Sequence, residues 1–202
     1  MSDLCTGLKL RAHRFLWIFL VASALHAEVI DRILAVVQNR IITLSDVRQE
    51  RSIQLALAET ATKDDAAILE ELIDIYLIEA QIAQFPGIEV DEADVEAELN
   101  KIPDRKGIAV NDLRQGIRRR LEASRYFDLR FRQFINTSEV EIQKYYDEVF
   151  APEARRRGLD PIPPLQDVAR LATNNVVEEK LAHEIEIWLA TVRQGSDIET
   201  FD

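Results

Sequence analysis

The spacing of apolar residues along the chain predicts long helices through most of its length. Apolar residues recur every three or four positions from Ile68 to Phe85, where Pro86 and Gly87 end the pattern. Residues 127–135 continue or kink a helix that begins earlier. The predicted helices start near Asp64, Val90, Asn111 and Ser138. The helix after Asp64 is apolar almost all round, which predicts a central, buried position.

The residues that precede these helices follow a different pattern. Residues 28–37 (EVIDRILAVV) and 41–44 are rich in β-branched side chains and flank a short polar turn. This arrangement predicts a β-hairpin. The sequence TLSD comes next, and Ser45 with Asp46 predicts the start of a helix that runs to about Glu59.

Residues 151–164 interrupt the helical pattern with four prolines and one glycine, which predicts a connector. Beyond it, apolar residues between Val168 and Val192 predict one long amphipathic helix that closes at Gly195. Residues 197–201 (DIETF) can form a short strand. A lone strand needs a sheet to join, so we expect it to pair with the N-terminal hairpin.

The first 27 residues have the order of a secretory signal peptide. Three basic residues precede the apolar run 15–25, and small residues follow it, so cleavage after Ala24 or Ala27 is expected. The run has eleven residues, well short of the roughly 20 that cross a bilayer as a helix. Cys5, the single cysteine, lies before the run, so the exported chain has no disulfide or thiolate chemistry.

The net charge of the exported chain disfavours some classes of binding partner. Residues 28–202 hold 22 basic and 35 acidic residues, a net charge of −13. Nucleic acid and anionic membranes are poor partners for such a surface. Strong acidity helps to keep a protein with exposed apolar surface soluble.

The exported chain has few groups that could carry catalysis. His183 is its single histidine and is predicted to be an exposed or half-buried helix residue. Metal sites and catalytic triads need several convergent groups, so we predict no catalytic, cofactor-binding or metal-binding residue. The acids between Asp91 and Glu98 are predicted to form a solvated helix face. The runs Arg118–Arg120 and Arg155–Arg157 are predicted to be solvated or ion-paired. Ser138 with Glu141 is predicted to form a capping box.

Several segments resemble the SurA-type periplasmic chaperones and their parvulin-linked relatives. Residues 28–50 (EVIDRILAVVQNRIITLSDVRQE) resemble the strand-turn-strand and serine-aspartate-valine helix start that open those proteins. The resemblance extends to residue 150, and the tail VVEEKLAHEIEIWLATVRQGSDIETF is similar to their closing helix and strand. The resembling segments within this span are ILEELIDIYLIEAQ, VDEADVEAELNKI, AVNDLRQGIRRRLEASRYFDLRFR and SEVEIQKYYDEVF.

This resemblance implies a mainly α fold, a helical SurA-like chaperone core with a small N-terminal β-hairpin joined by a short C-terminal strand. Residues 28–150 would form the N-terminal helical domain, and residues 165–202 would complete it. The relatives carry a parvulin prolyl-isomerase domain between these parts. Here the connector 151–164 is far too short to hold that domain, which implies that it is absent.

The function implied by the resemblance is that of a periplasmic holdase, which binds unfolded outer-membrane or secreted proteins without isomerase activity or a cofactor. Alternatives are a dedicated partner subunit of one envelope protein and an atypical prolyl isomerase. The connector could also let two copies exchange their last helix in a homodimer. No stable membrane anchor is expected after signal cleavage. Phe127, Phe131, Tyr145 and Tyr146 could line a client groove, but core packing explains them equally, so no client-binding residue is assigned.

Overall fold

A small antiparallel sheet forms around a hairpin near the start of the described chain. The computed structural model describes residues 31–57, 64–102, 105 and 107–201. Strand β1 (Ile33–Val37) pairs with β2 (Arg40–Thr43) across a two-residue turn. Gln38 in this turn has a positive φ of 55°, as tight hairpin loops require. The hairpin prediction is confirmed from residue 31 onward, and the predicted signal peptide lies outside the described residues.

The strand near the C-terminus, β3 (Ile198–Thr200), pairs with the other side of β1 in antiparallel direction. The strand order is therefore β2-β1-β3. Two backbone hydrogen bonds flank this pairing. Gln38 N–H donates to the carbonyl of Asp197 at 2.7 Å, and Phe201 N–H donates to that of Leu34 at 2.8 Å. The prediction that the C-terminal strand joins the N-terminal hairpin is confirmed.

Helix α1 (Leu44–Ala56) follows β2 directly, and a capping box defines its start. The Thr43 hydroxyl accepts the N–H of Asp46 at 3.3 Å, and the Asp46 carboxylate accepts the N–H of Thr43 at 2.8 Å. The prediction was right for Asp46 and wrong for Ser45. A capping box requires its two members to be three residues apart, so Thr43 is the partner of Asp46.

Helix α2 (Asp65–Ile82) begins at the predicted position, where the Asp64 carboxylate accepts the N–H of Ala67 at 2.8 Å. It ends three residues before Phe85. Two helices follow, α3 (Glu92–Leu99) and α4 (Val110–Arg130). The second of these runs without a kink past residue 127 and is followed by a 3₁₀ turn at Arg132–Phe134.

The acidic side of α3 pairs with arginines of α4. Glu96 accepts a hydrogen bond from Arg114 Nε at 2.8 Å, and Asp94 accepts one from Arg125 Nη2 at 2.7 Å. These acids are exposed or partly exposed, as predicted, and they also hold the two helices together. Exposed pairs of this kind contribute little to stability, so the contact depends mainly on the apolar residues beneath them.

The helical path continues further than the proline pattern predicts. Helix α5 (Glu139–Tyr145) leads through a π-helical turn, Tyr146–Phe150, into helix α6 (Ala151–Arg156). Pro152 has no N–H to donate, so one helical hydrogen bond is missing at this position. The wider π-helical turn directly precedes it. The predicted break at residue 151 was therefore six residues too early, and the irregular connector is 157–164.

Helix α7 (Leu165–Gln194) is the predicted long helix, and Gly195 is its C-cap. The Arg193 side chain near its end donates to Asp74 at 2.5 Å and to Glu70 at 2.9 Å. Both acids belong to α2. These contacts hold the C-terminal end of α7 against α2, close to the sheet that β3 completes.

Two apolar clusters form the interior of the described chain. The first lies between the sheet, α1 and α2, with Leu189 and Val192 of α7 packed against it. The second lies between α1, α3 and α4. Helix α2 contacts the sheet and helices α1, α4 and α7, which confirms its predicted central position. The buried residues of the first cluster are Leu34, Ala35, Val37, Ile42, Val47, Ile68, Leu72, Ile73 and Leu77, and those of the second are Ile53, Val90, Val95, Leu99, Leu113 and Ile117.

Candidate functional site

Two adjoining hollows lie along α7, and we call them together the α5–α7 groove. The first, of about 340 Å³, is bounded by α5, the π-helical turn and α7. The second, of about 520 Å³, is bounded by residues 131–136 and α7. Lys180 and His183 belong to the walls of both. The apolar residues that line the groove are Phe131, Phe134, Ile135, Tyr145, Val149 and Val176.

A capping box and one lysine position the start of α5 against α7. The Ser138 hydroxyl accepts the N–H of Glu141 at 3.3 Å, and the Glu141 carboxylate accepts the N–H of Ser138 at 2.8 Å. This confirms the predicted capping box. Lys180 Nζ lies 2.5 Å from Glu141 Oε1 and donates to the carbonyl of Asn136 at 2.7 Å. Lys180 therefore joins two neighbouring parts of the groove wall.

The electrostatics of this contact favour the charged form of Glu141. Hydrogen bonding to Lys180, with further bonds from Ser138, lowers the pKa of the Glu141 carboxyl from 4.5 to about 2. The Glu141 carboxylate is therefore ionised throughout the neutral range. Lys144 and Glu148 form a looser pair at 4.0 Å along the same helical path.

Large apolar side chains on the groove are open to solvent. Phe134 is 71% exposed and Val149 is 50% exposed. Single exposed apolar residues are ordinary on protein surfaces. Here two of them line the same groove, together with partly buried Phe131 and Tyr145. The groove can therefore bury apolar side chains of a partner without unfolding any part of the chain.

A cluster of aromatic rings supports one wall of the groove. Trp188 of α7 lies 5.7 Å from Tyr126, 5.9 Å from Phe127 and 5.7 Å from Phe131, between ring centroids. The Arg130 guanidinium lies 5.6 Å from the Trp188 ring centre. These contacts pack α7 on α4. Phe131 belongs both to this cluster and to the groove wall, so the aromatic cluster forms part of the base of the groove.

The four aromatic candidates from the sequence have different positions. Phe131 and Tyr145 line the groove, whereas Phe127 packs in the aromatic cluster. Tyr146 donates its hydroxyl to the carbonyl of Pro163 at 2.8 Å and thereby holds the connector. Sequence reasoning missed Phe134 and Val149, because helical spacing does not show which apolar positions remain uncovered. It missed Lys180 because the partners of Lys180 are distant in sequence.

The potentially reactive groups are dispersed. His183 is exposed in the wall shared by the two hollows, as predicted for an exposed or half-buried position. Within the described ranges, no group of three or more His, Cys, Asp or Glu side chains is arranged to hold a metal ion. No helix in the part of the chain that the structure describes has the length and apolar character needed to cross a membrane.

A buried carboxylate lies away from the groove, where α1 meets α4. Glu50 is 1% exposed, and its two oxygens accept hydrogen bonds from Arg119 Nη2 at 2.9 Å and Arg120 Nη2 at 2.8 Å. Gln54 donates to Glu50 at 3.4 Å and to Glu71 at 2.9 Å. The arginine run was predicted to be solvated or ion-paired, and in the structure it is ion-paired. Arg118 pairs with Glu92, and in the second run Arg156 and Arg157 pair with Glu153.

No protein-family model matches the chain, and no curated protein matches it. The groove, the fold and the resemblance of the individual sequence segments are therefore the observations that bear on function.

Proposed function

We propose that this chain is an exported periplasmic holdase that binds unfolded outer-membrane or secreted polypeptides and has no isomerase activity. The observation that carries the proposal is the α5–α7 groove, whose apolar wall includes the largely exposed Phe134. An unfolded chain offers apolar side chains to such a groove along its whole length. Shallow burial holds them weakly, which allows release without an energy source.

Three further features support this proposal. The chain segments resemble SurA-type chaperones, and the described fold joins an N-terminal hairpin to a C-terminal helix and strand, as that resemblance implies. Between α6 and α7 there is only the connector 157–164. A net charge of −13 on residues 28–202 keeps copies of the protein apart while apolar surface is exposed.

The test is a light-scattering assay in which an unfolded outer-membrane barrel protein aggregates in the presence of increasing amounts of the exported chain. We expect suppression at stoichiometric amounts and no acceleration of proline-peptide isomerisation in a parallel assay. A Phe134→Ser variant should suppress aggregation less well. Leu171→Ser is the matched control, because Leu171 is 50% exposed on α7 but lies outside both hollows.

The other outcomes identify the alternatives. Failure to suppress aggregation of any client, with one stoichiometric partner recovered from envelope extract, would indicate a dedicated partner subunit. Isomerisation of proline peptides would indicate an enzyme. Measurement of the molecular mass in solution tests the predicted dimer with exchanged C-terminal helices, since the monomer and the dimer differ twofold.

A further inference from the structure

The charged residues of the α5–α7 groove do not balance one another. Lys180 is paired with Glu141, and Lys144 is near Glu148. Glu179 lines the first hollow and Glu184 lines the second. Among the residues that the structure describes, neither of these two carboxylates has an ion-pair partner. Together the two hollows combine apolar walls with four glutamates and two lysines, an excess of two negative charges.

We propose that the groove selects unfolded segments in which an aromatic or aliphatic residue lies close to a lysine or arginine. This inference rests on the proposed holdase function and defines its substrate class. Phe134 and Val149 would contact the apolar side chain, while Glu184 and Glu179 would attract the basic one. A neutral apolar segment contacts the apolar walls alone, and an acidic segment is repelled by the two carboxylates.

The geometry of an extended chain suits this combination. In an extended segment, residues two positions apart lie on the same face and are separated by about 7 Å. An aromatic residue and an arginine at such positions can therefore both face one hollow. Because each hollow has its own carboxylate, a client with several such pairs can occupy both hollows at once and gain from simultaneous contacts.

The experiment measures the affinity of the exported chain for two fluorescent, unstructured peptides by anisotropy. Both peptides have phenylalanines at alternate positions. One has arginines two positions away from them, and the other has glutamines there. We expect the arginine peptide to bind more tightly, by about 1.5- to 5-fold for each carboxylate engaged, which is the range for exposed ion pairs. This difference should shrink as salt is raised.

Variants locate the effect within the groove. The double variant Glu179→Gln/Glu184→Gln should remove most of the preference for arginine and leave the affinity for the glutamine peptide unchanged. Glu186→Gln is the control, because Glu186 is exposed on the same helix but lies outside both hollows. It changes the net charge without changing the groove, so the preference should remain. Circular dichroism verifies that each variant retains its helices.

Three results would overturn the inference. Equal affinity for the two peptides would show that the groove does not discriminate between basic and neutral peptide side chains. Suppression of aggregation would still leave the holdase proposal intact. A preference lost equally in Glu186→Gln would assign the effect to overall charge. Absence of binding to both peptides, together with no effect on client aggregation, would reject the inference and the proposed function together.

Discussion

Replacement of Glu50 by glutamine should destabilise the protein far more than any exposed charge substitution. Glu50 is buried between α1 and α4, where it accepts hydrogen bonds from Arg119 and Arg120 at 2.9 and 2.8 Å. The variant Glu50→Gln keeps the side-chain volume but removes the negative charge. One of the two arginines then faces an amide N–H₂ group, which cannot accept its hydrogen bond.

The magnitude follows from the exposure of the three partners. Loss of one member of a fully buried ion pair costs about 3–5 kcal/mol, because the remaining charge stays desolvated. The side chains of Arg119 and Arg120 are 24% and 31% exposed, so water can partly solvate them. Arg119 also lies 3.9 Å from Glu79. We therefore expect a loss of about 2–3 kcal/mol in the free energy of unfolding, at or below the lower limit of the range for a fully buried pair.

Equilibrium urea denaturation, followed by circular dichroism and by Trp188 fluorescence, measures this loss. The matched control is Glu98→Gln, which removes an exposed carboxylate that lies 2.6 Å from Lys101. The control should change the free energy of unfolding by less than about 0.5 kcal/mol. If the two variants unfold at the same urea concentration with equal slopes, the buried cluster does not stabilise the junction of α1 and α4, and the reasoning is wrong.

Three further substitutions test other parts of the fold. Gly116→Ala should destabilise the protein by about 1–3 kcal/mol in the same assay, since the added Cβ would lie 2.8 Å from Cγ2 of Ile53. Unchanged or increased stability would show that α1 and α4 can separate freely. Tyr126→Ala should cost about 3–5 kcal/mol and alter the tryptophan emission, because the ring is buried in the aromatic cluster; a loss below about 1 kcal/mol would contradict that packing. The lowered pKa of Glu141 means that its contact with Lys180 is present above pH 4.5 and is lost as the pH falls toward 2. An NMR titration of the Glu141 carboxyl should show a midpoint near 2 that rises toward 4.5 in Lys180→Met, and equal midpoints in the two proteins would refute the contact.

Local sequence signals located the elements because the interactions that start and stop helices lie within a few residues. The Ser138–Glu141 capping box and the helix start near Asp64 were both predicted from the sequence, and in the structure each involves a contact between residues three positions apart. The β-branched residues on both sides of a short polar turn similarly predicted the hairpin. The start of α1 was displaced, because Ser45 lies only one residue before Asp46, whereas Thr43 lies three residues before it and closes the capping box.

The end of the helical path after α5 shows where local rules are insufficient. Pro152 predicts a break, yet the preceding residues take a π-helical turn and the helix resumes through Arg156. Helix α5 and the π-helical turn pack on α7. A propensity argument cannot include this contact, because the two helices are separated along the sequence by the connector.

Residue spacing and local turn signals are enough to predict a mainly helical protein, a hairpin before the helices, and a last strand that pairs with that hairpin. The packing of the helices on one another determines which apolar side chains are core and which are surface. Phe127 and Phe134 are similar in sequence context, but Trp188 covers the former and no ring lies over the latter among the described residues. Helical spacing defines the apolar face of a helix, whereas the docking of α7 against α4 and α5 determines how much of that face remains open to a partner.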